Sequence, residues 1–433
     1  MGESDKEICS MRYMIETERS DLFDVSIVIA MRVHIKGNVN EDGLRSAFEE
    51  ATKAYEILGC RVVLEEDGTA YYENENFEGQ KEGNPVTSSN SQKCRNNKIF
   101  FEESSWRQIL KREEKIRFKI EEGEFLKAFC YEMNEEGCSI IFLMHHLGGD
   151  GKSLVYFIES FMKALSGEKL EYSNIRLISA GPLDDKSQRD RLGPLAFVPK
   201  YYNKKWNKDE RKKSFNYSDM DKAYETYWKE HESTIDEYII KSEKVNMMLG
   251  KCKEWNIGFT AYITTVFLRR LGRKADVGYA VDYRKDGNRC MSNQATGISI
   301  KYAYNYNKSF QENAIKVQKL MTKKLEDDQS KEFILPFMAS FEPTLVDAIN
   351  LEHAGSFRSK TSKSLATILG YRKKTKDMSV TNLTKLDIPE EYGEYKLDFF
   401  SFIPPVISYG KNIIGISTLG DCTVLTLHRI KKV

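Results

Sequence analysis

Apolar positions switch between two spacings along this chain, and the switches mark out its elements. SIVIAMRVHI (26–35) is an apolar run of strand length. A helical stripe of Leu44, Ala47, Phe48 and Ala51 follows it, behind Asn40 as a candidate cap. GCRVVLEE and TAYYE, on either side of Asp67-Gly68, predict a hairpin. Residues 79–99 carry almost no apolar side chain and read as a mobile loop. FLKAFCYEM and SIIFLMHH predict paired strands, and LVYFIESFMKAL (154–165) predicts an amphipathic helix. Residues 167–215, with Gly, Pro and runs of charge, read as a long crossover.

The pattern then resumes. TIDEYII predicts a strand, followed by helices through Val245, Leu249, Cys252 and Trp255 and through Tyr262, Val266 and Leu268. DVGYAVDYR predicts a strand, and Phe310, Ala314, Val317 and Met321 stripe a helix. DMSVTNL, KLDFFSF, PVISY and the pair NIIGIST/TVLTLH around Gly420-Asp421 predict the last strands. Strands alternating with helices in both halves imply an α/β protein of two lobes, with mixed sheets and flanking helices. The expected division is an N-terminal lobe at 1–170, a crossover at 171–230 and a C-terminal lobe at 231–433.

Composition narrows the function classes. The 66 basic and 65 acidic residues leave a net charge of +1, which argues against a general binder of nucleic acid or of anionic membranes. No apolar run reaches the ~18 residues of a membrane span. MGESDKEICSMRY has no apolar signal core, so a cytoplasmic protein is expected. The eight cysteines form no CxxC pair, which points to reduced, mostly buried thiols rather than a zinc site or a disulfide framework.

The densest chemistry lies in FLMHHLGGDGKSL (142–154). Along a strand, His145 and His146 point to opposite sides, so only one of them can face a given cleft. The same alternation argues against an iron site built from both histidines and a carboxylate. An imidazole at a strand end can take up a proton near neutral pH, as a general base must. Gly148 and Gly149 let the backbone bend there. Asp150 is placed to cap a helix starting at Gly151 or to pair with an arginine. Each feature alone also has an ordinary structural explanation.

Together, His145-His146-Leu147-Gly148-Gly149-Asp150-Gly151 fits the pattern HHxxxDG at a strand–loop–helix junction, with Ser153 just beyond. This resembles the condensation-domain and chloramphenicol-acetyltransferase-like superfamily of acyltransferases. MRVHIKGNVNEDGLRSAFEEATKAY is similar to the superfamily's opening strand and helix, FLKAFCYEM to the strand before the motif, DVGYAVDYR to a second-lobe strand, and VTNL (380–383) to its Ser/Thr-Asn strand. The resemblance implies two similar lobes with a tunnel between them. His146 would face the tunnel as the catalytic base, and His145 would point away and support the loop. Asp150 would form a structural salt bridge, with Arg284 as candidate partner. Thr381 would face the cleft as an oxyanion donor, and Asn382 would brace its loop. No bound cofactor or metal is implied, because the thioester of coenzyme A or of a carrier protein's phosphopantetheine arm is a substrate.

The chain also departs from the superfamily's patterns. The His-Pro-x-Leu-Arg stretch of many condensation domains is replaced by YEILGCR, keeping at best Arg61, and the DFGWG signature of plant alcohol acyltransferases is absent. The expected activity is acyl transfer from a thioester to a hydroxyl or amine, in the manner of secondary metabolism. The alternatives are hydrolysis of the thioester and a catalytically silent module that binds a carrier protein or another partner. The basic stretch PKYYNKKWNKDERKK (199–213) is either a dock for an acidic carrier protein or phosphates, or a solvated crossover. Arg372, Lys373, Lys374 and Lys376 could meet coenzyme A phosphates.

Overall fold

The structure, a computed structural model, describes residues 11–74, 82–86, 96–179, 181, 185–285, 287–371, 375–407 and 410–433. Its first seven strands are β1 (Met11–Met14), β2 (Val28–Lys36), β3 (Arg61–Leu64), β4 (Ala70–Asn74), β5 (Lys98–Phe101), β6 (Leu126–Asn134) and β7 (Gly137–His145). After the crossover come β8 (His231–Ile240), β9 (Ala275–Asp282), β10 (Ala295–Tyr302) and β11 (Met378–Lys385). The chain finishes with β12 (Glu391–Tyr392), β13 (Tyr395–Ile403), β14 (Asn412–Leu419) and β15 (Cys422–Lys432).

They form two six-stranded mixed sheets, in the orders β12-β13-β2-β7-β6-β5 and β10-β9-β11-β14-β15-β8, and a small sheet β1-β4-β3. The expected α/β architecture is therefore present. Each large sheet mixes directions. β5 runs parallel to β6 in the first, and β11 runs parallel to both β9 and β14 in the second. Strands β12 and β13 complete the first sheet, β13 lying antiparallel to β2 from Lys396↔Lys36 to Ile403↔Ala30. Residues 391–403 thus join the first lobe's sheet, although they fall in the stretch expected to form the second.

β7 lies at the middle of the first sheet and is buried along its whole length, as its unbroken apolar run requires. One face is covered by α4 (Gly151–Leu165), whose Phe157 and Phe161 rings meet Phe142 at 6.0 and 5.5 Å. The helix α2 (Glu41–Lys53) packs beside it through Phe48, 5.6 Å from the Phe157 ring. Asn40 caps α2 by accepting a hydrogen bond from the Gly43 amide at 2.8 Å. The hairpin at Asp67-Gly68 is β3 paired with β4.

Several expectations need correction. The crossover expected at 167–215 carries helices that its sequence pattern did not predict, spanning Asp185–Leu192 and Phe197–Asp209. In the latter, Tyr202 and Trp206, four residues apart, are buried among exposed lysines. The Trp206 indole donates to Thr344 Oγ1 at 2.9 Å, and the Tyr202 and Ser364 hydroxyls lie 2.7 Å apart. PVISY is no strand over its described residues 405–407. Much of the loop expected at 79–99 lies outside the described residues, but Pro85 bridges to Glu171 and β5 begins at Lys98. Of the predicted stripes Val245, Cys252 and Leu268 are buried, but Leu249 and Val266 face outward, and Met248, Ala261 and Thr264 are buried beside them. The helix Pro343–Ala354 is buried around almost its whole circumference, so it shows no amphipathic stripe in the sequence.

Candidate active site

The motif occupies the end of the central strand. β7 stops at His145, and residues His146–Gly148 form a single 3-10 turn. Gly149 has φ +141°, and a Cβ there would lie 2.5 Å from Ser153 Cβ, so the reversal into α4 requires glycine. A Cβ on Gly151 would come within 3.2 Å of Leu383 and Phe402, so the start of α4 is closed over by residues from late in the chain.

The two histidines part where the strand ends, His145 being its last residue and His146 the first of the turn. His145 is buried, accepts the Leu147 amide at Nδ1 (3.1 Å), and lies edge-on to the Phe118 ring at 6.0 Å. Burial, and then the neighbouring charges of His146 and Arg117, push its pKa down to about 3, so it is neutral at physiological pH. His146 keeps 18% of its side chain exposed. Its Nδ1 is buried without a hydrogen bond, 3.5 Å from Asp21 Oδ2.

Asp21 sits on the one-turn helix α1 (Arg19–Leu22), which a buried helix holds in place. Arg19 pairs with Asp347 of Pro343–Ala354, and Asn350 donates from Nδ2 to the Ser20 carbonyl at 2.7 Å. Asn293 Nδ2 donates to Asp21 Oδ2 at 3.0 Å. Burial raises the pKa of Asp21, and the proximity of His146 opposes the rise. Close by, Glu18 accepts from the Tyr72 hydroxyl at 3.3 Å, and that hydroxyl also reaches the Leu147 carbonyl at 2.9 Å. Burial first, and then Asp21, push the pKa of Glu18 up to about 8.

Asp150 does two jobs. It caps α4, accepting the Ser153 amide at 2.9 Å, with a reciprocal bond from its own amide to Ser153 Oγ. It also meets Arg284 in a bidentate pair, Nη1 to Oδ2 at 2.8 Å and Nη2 to Oδ1 at 2.9 Å. Both side chains are buried, and Asp150 further accepts the Gln294 amide at 2.9 Å. Burial alone would raise the Asp150 pKa, but the Arg284 charge and these donors hold it below the ordinary carboxylate value. The Ser153 hydroxyl donates to the Ser292 carbonyl at 2.9 Å. Arg284, Ser292 and Gln294 thus clasp the motif from one segment, and Asn293 in the same segment reaches Asp21; of these only Arg284 was legible in the sequence.

Thr381 and Asn382 lie on β11, where they take opposite sides. Asn382 donates from Nδ2 to Thr260 Oγ1 at 2.9 Å and accepts the Thr384 amide at 2.8 Å. Alternation puts Thr381 on the face opposite Asn382, and the register of β11 shifts between Asn382 and Lys385, where Leu383 packs at Gly151. No hydrogen bond joins Thr381 to His146 among the described residues. Arg372, Lys373 and Lys374 lie outside the described residues, and Lys376 is 3.3 Å from Asp276. Among the described residues no group of His, Cys, Asp and Glu is arranged to hold a metal ion, and no helix is long and apolar enough to cross a membrane.

Residues 17–176, from the segment before α1 to just beyond α4, match the family model of the condensation domain. The chain has the condensation-domain fold. A comparison with curated proteins gives no match. Among solved structures it is similar to the first condensation domain of the CDA synthetase, with TM-score 0.57 and 12% identity over 95% of this chain and 87% of the other. A trichothecene 15-O-acetyltransferase from Fusarium sporotrichioides gives TM-score 0.60 and 10% identity over 99% and 92%. The epimerization domain from the third module of tyrocidine synthetase B gives 0.57 and 10% over 99% and 93%. At such identities these likenesses show the fold alone, so the chemistry of this condensation-like chain must be argued from its own side chains.

Proposed function

We propose that this chain is an acyltransferase that moves an acyl group from a thioester to a hydroxyl or amine, with His146 as general base. The observation that supports this reading most is the separate fate of the two histidines. The motif yields one neutral, buried ring and one ring at a partly open position beside a carboxylate. The likeness to condensation domains over 17–176 agrees with it.

In the proposed reaction, the acceptor's O–H or N–H proton passes to His146 Nε2 as its heavy atom bonds to the thioester carbonyl carbon. The resulting oxyanion is held by the Thr381 hydroxyl, with Asn382 bracing the strand end. Collapse breaks the C–S bond, and the departing thiolate takes the proton back from the imidazolium. Asp150 and Arg284 do not react, but they fix the loop that carries His146 to the opposite lobe. The donor is coenzyme A or the phosphopantetheine arm of a carrier protein, reached through a tunnel between the lobes. The basic helix Phe197–Asp209 is the surface we assign to an acidic carrier. A cytoplasmic role in secondary metabolism fits the synthetase likeness.

The test is product analysis by mass spectrometry, with the full chain, a panel of acyl-coenzyme A and acyl-pantetheine thioesters, and a panel of alcohols and amines. The expected product is an acceptor heavier by the acyl group, together with one free thiol. Free acid in place of acylated acceptor would replace transfer by hydrolysis. Intact thioester in every combination would overturn catalysis and leave a silent binding module.

A further inference from the structure

The motif explains the end of β7 but not why a partly buried carboxylate on a different element stands against the edge of the His146 ring. Asp21 is 14% exposed, and its Oδ2 is 3.5 Å from His146 Nδ1, a nitrogen that is buried and has no hydrogen bond. A neutral imidazole carries one proton, on either nitrogen, and the group facing one nitrogen decides which. An ionised carboxylate facing Nδ1 favours Nδ1–H and leaves the Nε2 lone pair free. The present gap is just beyond hydrogen-bond length, and catalytic contacts of this kind commonly tighten when substrate binds.

We propose that Asp21 is a positioning residue for His146. It holds the imidazole with its proton on Nδ1 and Nε2 free, and Asn293 holds Asp21 in turn. This rests on the reading of His146 as the base. Three features of the structure fit the task. The α1 turn is anchored by the Arg19–Asp347 pair and the Asn350–Ser20 bond, so the carboxylate stands on a fixed support. Asn293 donates to the same Oδ2 that faces the ring, so this oxygen is aimed from two sides. Asn293 also belongs to the segment in which the Gln294 amide reaches Asp150, so the clasp on the motif and the alignment of the base are one assembly.

Burial and Asp24 raise the pKa of Asp21, and His146, Asn293 and Ser20 oppose the rise. Glu18 precedes α1, Asp24 follows it, Tyr72 comes from β4, His145 and His146 come from the motif, and Asp150 stands at the start of α4. Glu18 titrates at about 8, so at pH 7 it is mostly neutral and does not add a second full negative charge beside Asp21. When His146 takes the acceptor's proton on Nε2, the imidazolium carries a proton on each nitrogen, and Asp21 lies 3.5 Å from its Nδ1.

The experiment uses the full chain, labelled with 15N-histidine, and reads the His146 tautomer by NMR at a pH where its ring is neutral. Wild type should show a protonated Nδ1 and an unprotonated Nε2. Asp21→Ala should shift the ring toward Nε2–H, the form usual in water. With acetyl-coenzyme A and an accepted alcohol, Asp21→Ala should lower kcat by about 10²-fold, as expected for a misplaced catalytic group. KM should stay within about twofold, because the substrate contacts are untouched. Asn293→Ala, which leaves the carboxylate in place, should move both readouts the same way by a smaller amount. It keeps the test usable if Asp21→Ala folds poorly. An unchanged tautomer in the folded variants, or a kcat loss without any tautomer change, would overturn the proposal. Full activity in His146→Ala would overturn the general-base reading instead, and the tautomer measurement would still decide what Asp21 does.

Discussion

His145 fills a closed site between Phe118 and the Leu147 amide. Replacing it with alanine orphans that amide, which alone costs about 1–3 kcal/mol. His145→Ala should therefore lower the melting temperature clearly, whereas His146→Ala, at a partly open position, should melt close to wild type. Equal melting temperatures for the two variants would contradict their assigned places. Glu18 gives a pH signature. Its folded pKa is raised from 4.5 to about 8, so its contribution to stability is fully present below 4.5 and is lost as pH rises through about 8. Denaturant titrations should show the stability of wild type falling relative to Glu18→Gln between pH 5 and pH 8, and parallel curves would refute it. The motif residues were legible because their order is distinctive. Asp21 and Glu18 were not, because the acids in ETERSDLFD look like ordinary solvated charges until tertiary packing buries them.

Between elements, the contact that matters most joins the start of α4 to the segment after β9. Asp150 and Arg284 are both buried, so removing Arg284 leaves the Asp150 charge uncompensated, at a cost of about 3–5 kcal/mol, whereas removing Asp150 leaves Arg284 its second pair with Asp282. The double variant should be less destabilised than the sum of the two single ones, with a coupling of about 0.5–3 kcal/mol in a urea-denaturation cycle. Additive effects would show that the pair does not act as a unit. On β11, Thr381→Ala should lower kcat by the equivalent of about 2.7–4 kcal/mol with little change in KM, as loss of an oxyanion donor does. An unchanged kcat would remove Thr381 from the reaction. An element with a single apolar face, such as α2, could be read from periodicity. The helix Pro343–Ala354 could not, since burial on nearly every side leaves no stripe. The helix Phe197–Asp209 was hidden because two aromatic anchors stand among seven nearby basic residues. The clasp of Ser292, Asn293 and Gln294 left no signal, because its key bonds come largely from backbone groups and short amides.

Across the molecule, the two six-stranded sheets are linked at more than the motif. Arg32 on β2 pairs with Glu237 on β8 at 2.6 Å, and Glu237 also accepts the Ser401 hydroxyl of β13 at 2.6 Å. The alternation of strands and helices made the α/β class legible. The return of β12 and β13 to the first sheet was not legible, because pairing between strands some 360 residues apart leaves no local trace. The site therefore depends on the whole chain, with its base on β7's turn, its carboxylate on α1 and its clasp after β9. The measurement that tests this account most directly is single-turnover thioester loss in the presence of acceptor, compared between wild type and a folded His146→Ala variant. The account predicts a rate lower by about 10²–10⁴-fold in the variant, and rates within about threefold of each other would contradict it.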